Sequence, residues 1–405
     1  MPFNIALSGL NAASDDLGVT ANNIANANTN GFKQSRAEFA EVFAASSESL
    51  TSNAIGSGVR LKNIAQEFTQ GNVDFTGNTL DLAITGQGFF TLSNSGSLSY
   101  TRAGAFGANR EGFVVDGDGR RLQVYPPLGG GTFNTGELTD LRLLTGQNPP
   151  QATSEIELGV NLPADATQPA NPVFDPTDPF SFNHTTSTTI YDSLGAPHTA
   201  AVYFVKGAVV NEWTTNVVVD GTAVGGANPL TFDSLGQIVT PAGGIITLPP
   251  YDPANGAALL TMELDLGQST QFGGSYAVNS LSQDGFTAGR LTGIEIDATG
   301  VVFARYTNGR ADELGKVALS NFASIGNLGQ ISDTNWVETF ASGDALRGEA
   351  GTGTLGLIQA GALEASNVDL TDQLVNMITA QRNFQANAQV ISTADAITQT
   401  IINIR

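Results

Sequence analysis

Residues 366–405 read as one uninterrupted amphipathic helix, and no other stretch constrains the chain as strongly. Leu370, Leu374, Met377, Phe384, Ala388, Ile391, Ala394, Ile397, Ile401 and Ile404 recur at spacings of three, four and seven, which puts them on one stripe. Neither Pro nor Gly breaks the run. Ser366 with Asp369 forms a capping-box pattern, and Asp369 and Asp372 sit where the helix dipole favours anions. At about 1.5 Å per residue such a helix would be roughly 60 Å long. The stripe continues to the last residue of the sequence, so its cover is expected from elsewhere.

A second stripe lies at the other end. Phe3, Leu7, Leu10, Ser14, Leu17, Ala21 and Ile24 step by four and three in a heptad-like register. This first helix is expected from about Asn4 to Asn28, with Gly31 as a left-handed stop. Asn22, Asn23, Asn26, Asn28 and Asn30 make a dense set of amides there, read either as plain helix termination or as hydrogen bonding across a packed contact. The fold class expected is α+β multidomain. The N- and C-terminal helices pair as a coiled-coil-like base, and two nested, mainly-β domains fill the middle.

Composition supports that middle. Among 405 residues there are 47 Gly, and only 14% are charged, which suits strands joined by tight turns. The helical base is assigned to 1–36 and 362–405, with 37–72 as a polar, weakly structured link through Ser46, Ser47, Ser49, Thr51, Ser52, Asn53, Gly56, Ser57 and Gly58. From Val73 the apolar period becomes two. Residues 79–84 and 89–92 read as strand–turn–strand around Gly86 and Gly88, and Asp116-Gly117-Asp118-Gly119 as a tight turn. An inner β domain is therefore assigned to 73–145 and 285–361. Between them, 146–284 holds 13 acidic residues against one basic residue, Lys206, and is assigned to an inserted, solvent-facing β domain. That inserted domain is expected to be acidic, Gly-rich and poor in large apolar side chains.

The net charge of −21 argues against nucleic acid or an anionic membrane surface as a partner. Cys is absent, so thiolate metal sites and disulfides are excluded. No run of 18 apolar residues provides a membrane span, and the N-terminus lacks the basic and apolar regions of a cleavable signal peptide. His184 and His198 are the only histidines, and neither carries a set of metal ligands in sequence. Asp116 to Gly119 lacks the Glu that a Ca²⁺ loop places at its twelfth position, and Gly129-Gly130-Gly131 is not followed by Gly-Lys-Ser/Thr. Glu155 and Glu157 are the nearest thing to a glycosidase pair, in a chain where carboxylates are common. No enzyme, cofactor or metal site is expected.

Residues 21–33, Ala-Asn-Asn-Ile-Ala-Asn-Ala-Asn-Thr-Asn-Gly-Phe-Lys, resemble the N-terminal signature of bacterial flagellar rod and hook axial proteins. Residues 361–370 resemble their C-terminal signature, continuing through Met377, Gln381, Arg382, Asn383 and Phe384 to Asp395. Residues 82–90 and 100–104 match the family's first β domain, and residues 188–195 with His198 and 203–206 resemble the outer domain of its hook members. On this resemblance the signature positions are Asn22, Asn23, Asn26, Gly31, Phe32, Lys33, Ser366, Asn367, Val368, Asp369, Gln381 and Arg382. The polymerisation seam falls on Leu7, Leu10, Leu17, Ile24, Leu370, Leu374, Met377, Phe384, Ile391 and Ile401. The resemblance implies a homopolymeric tube, built from subunits passed unfolded through the flagellar export apparatus and set in place under a cap protein. It would be joined to distal rod and hook–filament junction proteins, and would act outside the cell as a universal joint. A distal rod or junction protein is the near alternative; a surface adhesin or carbohydrate-binding protein is the alternative from another class.

Overall fold

The computed structural model describes residues 2–42, 56–143 and 146–403. Ser46, Ser47, Ser49, Thr51, Ser52 and Asn53 of the expected link lie outside the described residues, as do Ile404 and the side chain of Ile401. The chain divides into two compact units. One comprises residues 1–145, 293–305 and 311–405; the other comprises 146–292 and 306–310.

In the first unit the terminal helices are α1 (Pro2–Ala25) and α2 (Leu370–Asn403). Ser366 lies outside α2. Asp369 caps it instead, its Oδ1 accepting from the Thr371 N–H at 2.7 Å and the Asp372 N–H at 3.3 Å. The weakly structured link is also corrected. Strands β1 (Ser35–Glu41) and β2 (Val59–Gln66) form an antiparallel ribbon, in register from Ser35 opposite Gln66 to Glu41 opposite Val59. Polar composition concealed it because a two-stranded ribbon buries little of itself and needs a neighbour. Here the neighbour is α1: Ser8 Oγ accepts from the Val59 N–H at 3.2 Å, and Asn23 holds Ser35 at the other end.

The β core of this unit closes across the insertion. Phe89–Asn94 pairs with Ser97–Thr101, Arg121–Tyr125 and Ala311–Asn321, and Asn335–Val337 completes the side beyond Ser97–Thr101. Leu82–Thr85 does not turn back onto Phe89–Asn94 as the sequence reading had it; it pairs with Leu357–Ala360. Leu82, Ile84, Phe90, Leu92, Leu122 and Val124 are buried with Val302, Val317 and Leu319, so both flanks of the insertion supply one core.

The second unit is a pair of sheets. His184–Tyr191, Pro197–Lys206, Glu212–Val219, Thr222–Phe232 and Ile238–Thr240 run as an antiparallel meander. The other sheet centres on Glu155–Pro163, which pairs parallel with Glu263–Asp265 and Thr270–Phe272 and antiparallel with Ala277–Gln283. Alternate residues Ile156, Leu158, Val160 and Leu162 meet Val202, Phe204, Trp213, Val217 and Val219 in one core. Val173, Phe180, Val210 and Leu235 are exposed apolar residues of this unit.

One turn design recurs. In Asp116 to Gly119, Asp192 to Gly195, Asp233 to Gly236 and Asp297 to Gly300, the Asp Oδ1 accepts the backbone N–H groups two and four residues on, at 2.8–3.0 Å. The closing Gly has φ between 74° and 83° in each, a conformation that costs other residues energy.

The Asp192 turn also engages His198. The ring places Nδ1 2.6 Å from Asp220 Oδ2 and Nε2 3.3 Å from Asp192 Oδ2. Burial alone would lower the His198 pKa, but the hydrogen bonds to Asp220 and Asp192 raise it. Burial would raise Asp192, yet hydrogen bonds from Asn255, the Ala196 and Leu194 N–H groups and His198 bring it down to about 2. A raised His pKa contributes stability that is complete below the unfolded value of 6.5 and is lost as pH rises through the folded one. The depressed Asp192 contributes stability above 3.8 that is lost as pH falls toward about 2. The contribution of this pair to the thermal stability of the second unit should therefore be greatest between about pH 4 and 6.5. Calorimetry should show His198→Gln lacking the decline of the wild type above that window.

Candidate functional site

Asn23, Gly31, Phe32, Lys33, Ser366 and Asn367 lie together at the joint where both helices meet the inner β strands. After α1 the chain must reverse sharply, and Gly31 does this with φ 69°. A Cβ there would stand 2.4 Å from the Ala103 nitrogen, so no other residue fits. The Gly31 N–H donates to the Glu364 carbonyl at 2.8 Å. Phe32 is buried next to it, and Lys33 follows with its side chain fully enclosed.

Lys33 Nζ lies 2.5 Å from Glu364 Oε1 and donates to the Thr69 carbonyl at 2.7 Å. Arg102 Nη1 donates to Glu364 Oε2 at 3.0 Å, and its Nη2 to the Gly86 carbonyl at 2.6 Å. Glu364 Oε1 also accepts the Gly71 N–H at 2.9 Å. Two cations thus share one carboxylate in a dry setting. Burial pushes the Lys33 pKa down, Glu364 pushes it back up, Arg102 depresses it further, and the result is lowered. Burial likewise lowers Arg102, against the pull of Glu364.

Around this trio the amides satisfy backbone. Asn23 Nδ2 donates to the Ser35 carbonyl at 2.8 Å and to Gln373 Oε1 at 3.1 Å, while its Oδ1 accepts the Ser35 N–H at 2.9 Å. Asn367 Oδ1 accepts the Gln34 N–H at 2.8 Å, and its Nδ2 donates to the Glu67 carbonyl at 2.8 Å and Thr69 Oγ1 at 2.8 Å. Ser366 Oγ accepts the Val368 N–H at 3.3 Å. Asn26 stays local, donating to the Asn22 carbonyl and accepting from Thr29. Asn22, Gln381 and Arg382 are exposed and stand apart from the joint's core.

Sequence reasoning did not single out Arg102, Glu364, Gln34, Thr69 or Gln373. Lys33 and Glu364 are 331 residues apart, and Arg102 and Glu364 are 262 apart, so spacing carries no signal. The available clue is that Lys and Arg number only 17 in the chain.

The helices touch by a different face from the one their large side chains suggest. Ala6, Ala13, Thr20 and Asn23 are the buried residues of α1, and Gln373 and Ala380 those of α2. Asn23 meets Gln373; fourteen residues back on α1 and fourteen on along α2, Gly9 lies against Asn387, whose Oδ1 a Cβ would approach to 2.6 Å. The contact is therefore antiparallel. Leu10, Leu17, Ile24, Met377 and Ile391 are half-buried, whereas Leu7, Leu370 and Leu374 remain more than 40% exposed and Phe384 is 37% exposed.

Among the described residues no group of three or more His, Cys, Asp or Glu is arranged to hold a metal, and no helix is long and apolar enough to cross a membrane. Removing one member of a buried ion cluster strands its partner, at about 3–5 kcal/mol. Glu364→Gln should destabilise the first unit by about that amount, measured by denaturant unfolding. Lys33→Met should cost less, since Arg102 still neutralises Glu364.

Residues 3–33 match the family described as flagella basal body rod protein, and 83–170 the flagellar hook protein FlgE/F/G D1 domain. Residues 161–286 match the flagellar basal body protein FlaE D2 domain, and 359–404 the flagellar basal body rod FlgEFG protein C-terminal family. The chain is 37% identical over 423 residues to the flagellar hook protein FlgE of Salmonella typhimurium, covering 100% of both chains. It is 37% identical over 412 residues to that of Escherichia coli, again covering 100% of both. The solved structure of Helicobacter pylori flagellar hook protein FlgE2 is similar in fold, with a TM-score of 0.55 at 14% identity, covering 72% of this chain and 100% of that one.

Proposed function

The chain belongs to the flagellar hook protein family, and on that premise we propose that this structural hook subunit polymerises into a flexible helical tube through the apolar residues its terminal helices leave uncovered. The tube acts as a universal joint, passing motor torque around a bend to the filament. One observation carries this reading: in the single chain Phe3, Leu7, Leu370, Leu374, Val375, Ile378 and Phe384 are exposed on helices that already pack against each other along a neighbouring stripe.

The base is coiled-coil-like in this reading. Ala6, Gly9, Ala13, Asp16, Thr20 and Asn23 step by three and four along α1, and Gln373, Ala380 and Asn387 step by seven along α2. Small residues at the contact let the helices approach closely and turn their larger residues outward. The seam between copies then uses Leu7, Leu10, Leu17 and Ile24 on α1 and Leu370, Leu374, Met377, Phe384, Ile391 and Ile401 on α2. Each such side chain fully buried contributes about 1.5–3 kcal/mol to assembly. The hook cap protein, the distal rod and junction proteins and the export apparatus are the further partners. The subunit leaves the cell without a cleavable signal peptide. The inserted second unit favours hook over a distal rod or junction protein.

Leu374→Asp and Phe384→Asp should each abolish tubes in negative-stain microscopy and sedimentation while leaving the β signal in circular dichroism intact. Both positions are exposed in the free chain, so monomer folding survives the charge. Wild-type tube yield from either variant would remove the seam from α2.

A further inference from the structure

Two patches of opposite character lie on different sides of the α1–ribbon assembly, and neither finds an ionic partner among the described residues. The first is a groove of about 410 Å³ between α1 and the ribbon, lined by Asp15, Gly18, Val19, Asn22, Leu61 and Ile64. Asp15 on its wall makes no ion pair among the described residues. Ile64 is 48% exposed although its face of the ribbon lies toward α1. Gly18 stands in the middle of a 24-residue helix, where Gly lowers helix stability relative to Ala. A Cβ at Gly18 would meet nothing within 4 Å, so its own chain does not require the glycine. An unfilled space beside helix backbone suits close approach by another chain.

The second patch is the ribbon's other face. Arg60 lies opposite Ala40, and Lys62 is the extra residue of a bulge, left out of register between the Asn63–Glu38 and Leu61–Phe39 pairs. A bulge re-aims the side chain it carries. Arg60 and Lys62 are exposed and make no ion pair among the described residues, a small basic face on a chain of net charge −21. Arg36 beside them is already engaged with Glu38 and Glu67.

We propose that the groove receives the basic ribbon face of a second copy. Lys62 of that copy lays its aliphatic stem against Leu61 and Ile64 and its ammonium against Asp15, and Arg60 flanks it. Long basic side chains commonly pack an apolar stem while the charge meets a carboxylate or water. In an acidic protein, the nearest abundant counter-charge for this face is an identical neighbour's. Because the two patches differ, the contact is heterologous and repeats without closing, as a helical tube requires. The inference rests on the polymer reading above and adds the ribbon as a second seam, distinct from the apolar helix stripes.

The test uses full-length chain seeded with sheared hooks. Asp15→Lys alone, and Arg60→Glu with Lys62→Glu, should each cut pelleted tubes at least tenfold with unchanged circular dichroism. Combining all three should restore at least half of the wild-type yield. Gly18→Leu, which fills the groove without altering charge, should also reduce tubes. Since the chain has no Cys, Asp15→Cys protein mixed with Lys62→Cys protein should form disulfide-linked heterodimers only in tubes. Wild-type yield from the charge-reversed variants, or no rescue in the triple variant, overturns the ribbon contact and leaves the polymer reading standing. No tubes from seeded wild type overturns the polymer reading, and the ribbon contact falls with it.

Discussion

In the first unit, the attachment of the chain ends to the β core rests on one buried carboxylate. Glu364 is fully enclosed, and it neutralises both Lys33 and Arg102 while accepting the Gly71 N–H. Charges taken out of water cost several kcal/mol each unless partners and hydrogen bonds replace the solvent. That replacement exists only when three distant segments are in place together. The segment after α1 brings Lys33, the inner strands bring Arg102, and the segment before α2 brings Glu364. The trio therefore specifies one arrangement of the chain ends against the β core, and near-miss arrangements strand a charge.

The neutral polar residues around it extend the same logic to the backbone. Asn23 and Asn367 pair with N–H and carbonyl groups at the ends of the ribbon and at the start of α2, where regular ladders stop. A joint made of directional contacts resists twisting between helices and β domain. Apolar packing alone would permit sliding. Asn23, Lys33 and Asn367 take part in this joint together with Arg102, Glu364 and Gln373.

The two helices divide their surfaces by size. Ala6, Gly9 and Ala13 meet Asn387 and the neighbouring turns of α2, whereas Leu7, Leu370 and Leu374 stay in the open. A helix pair held by small residues is a modest interaction, and long helices with uncovered apolar stripes are marginal in water. Cover from further copies makes such stripes useful. The second unit has no such dependence: its two sheets enclose a core that includes Trp213, Phe204 and Leu158.

The sequence by itself determined the helices, because apolar periodicity over many residues is a local property, and it determined the tight turn at Asp116 for the same reason. It also suggested nested β domains, since strand period and charge balance change along the chain. It did not determine which helix face is buried within the subunit. The Leu stripe was the stronger pattern, but the Ala and Gly stripe makes the closer contact, and periodicity cannot say whether a stripe is covered by its own chain or by a neighbour. The ribbon at 35–66 escaped for a related reason, as α1 supplies the surface that orders it. The pairing of Leu82–Thr85 with Leu357–Ala360 and the Lys33–Glu364–Arg102 trio were decided only by tertiary structure. Their partners are hundreds of residues apart, and what selects them is burial, which forces every charge and every backbone group to find a complement.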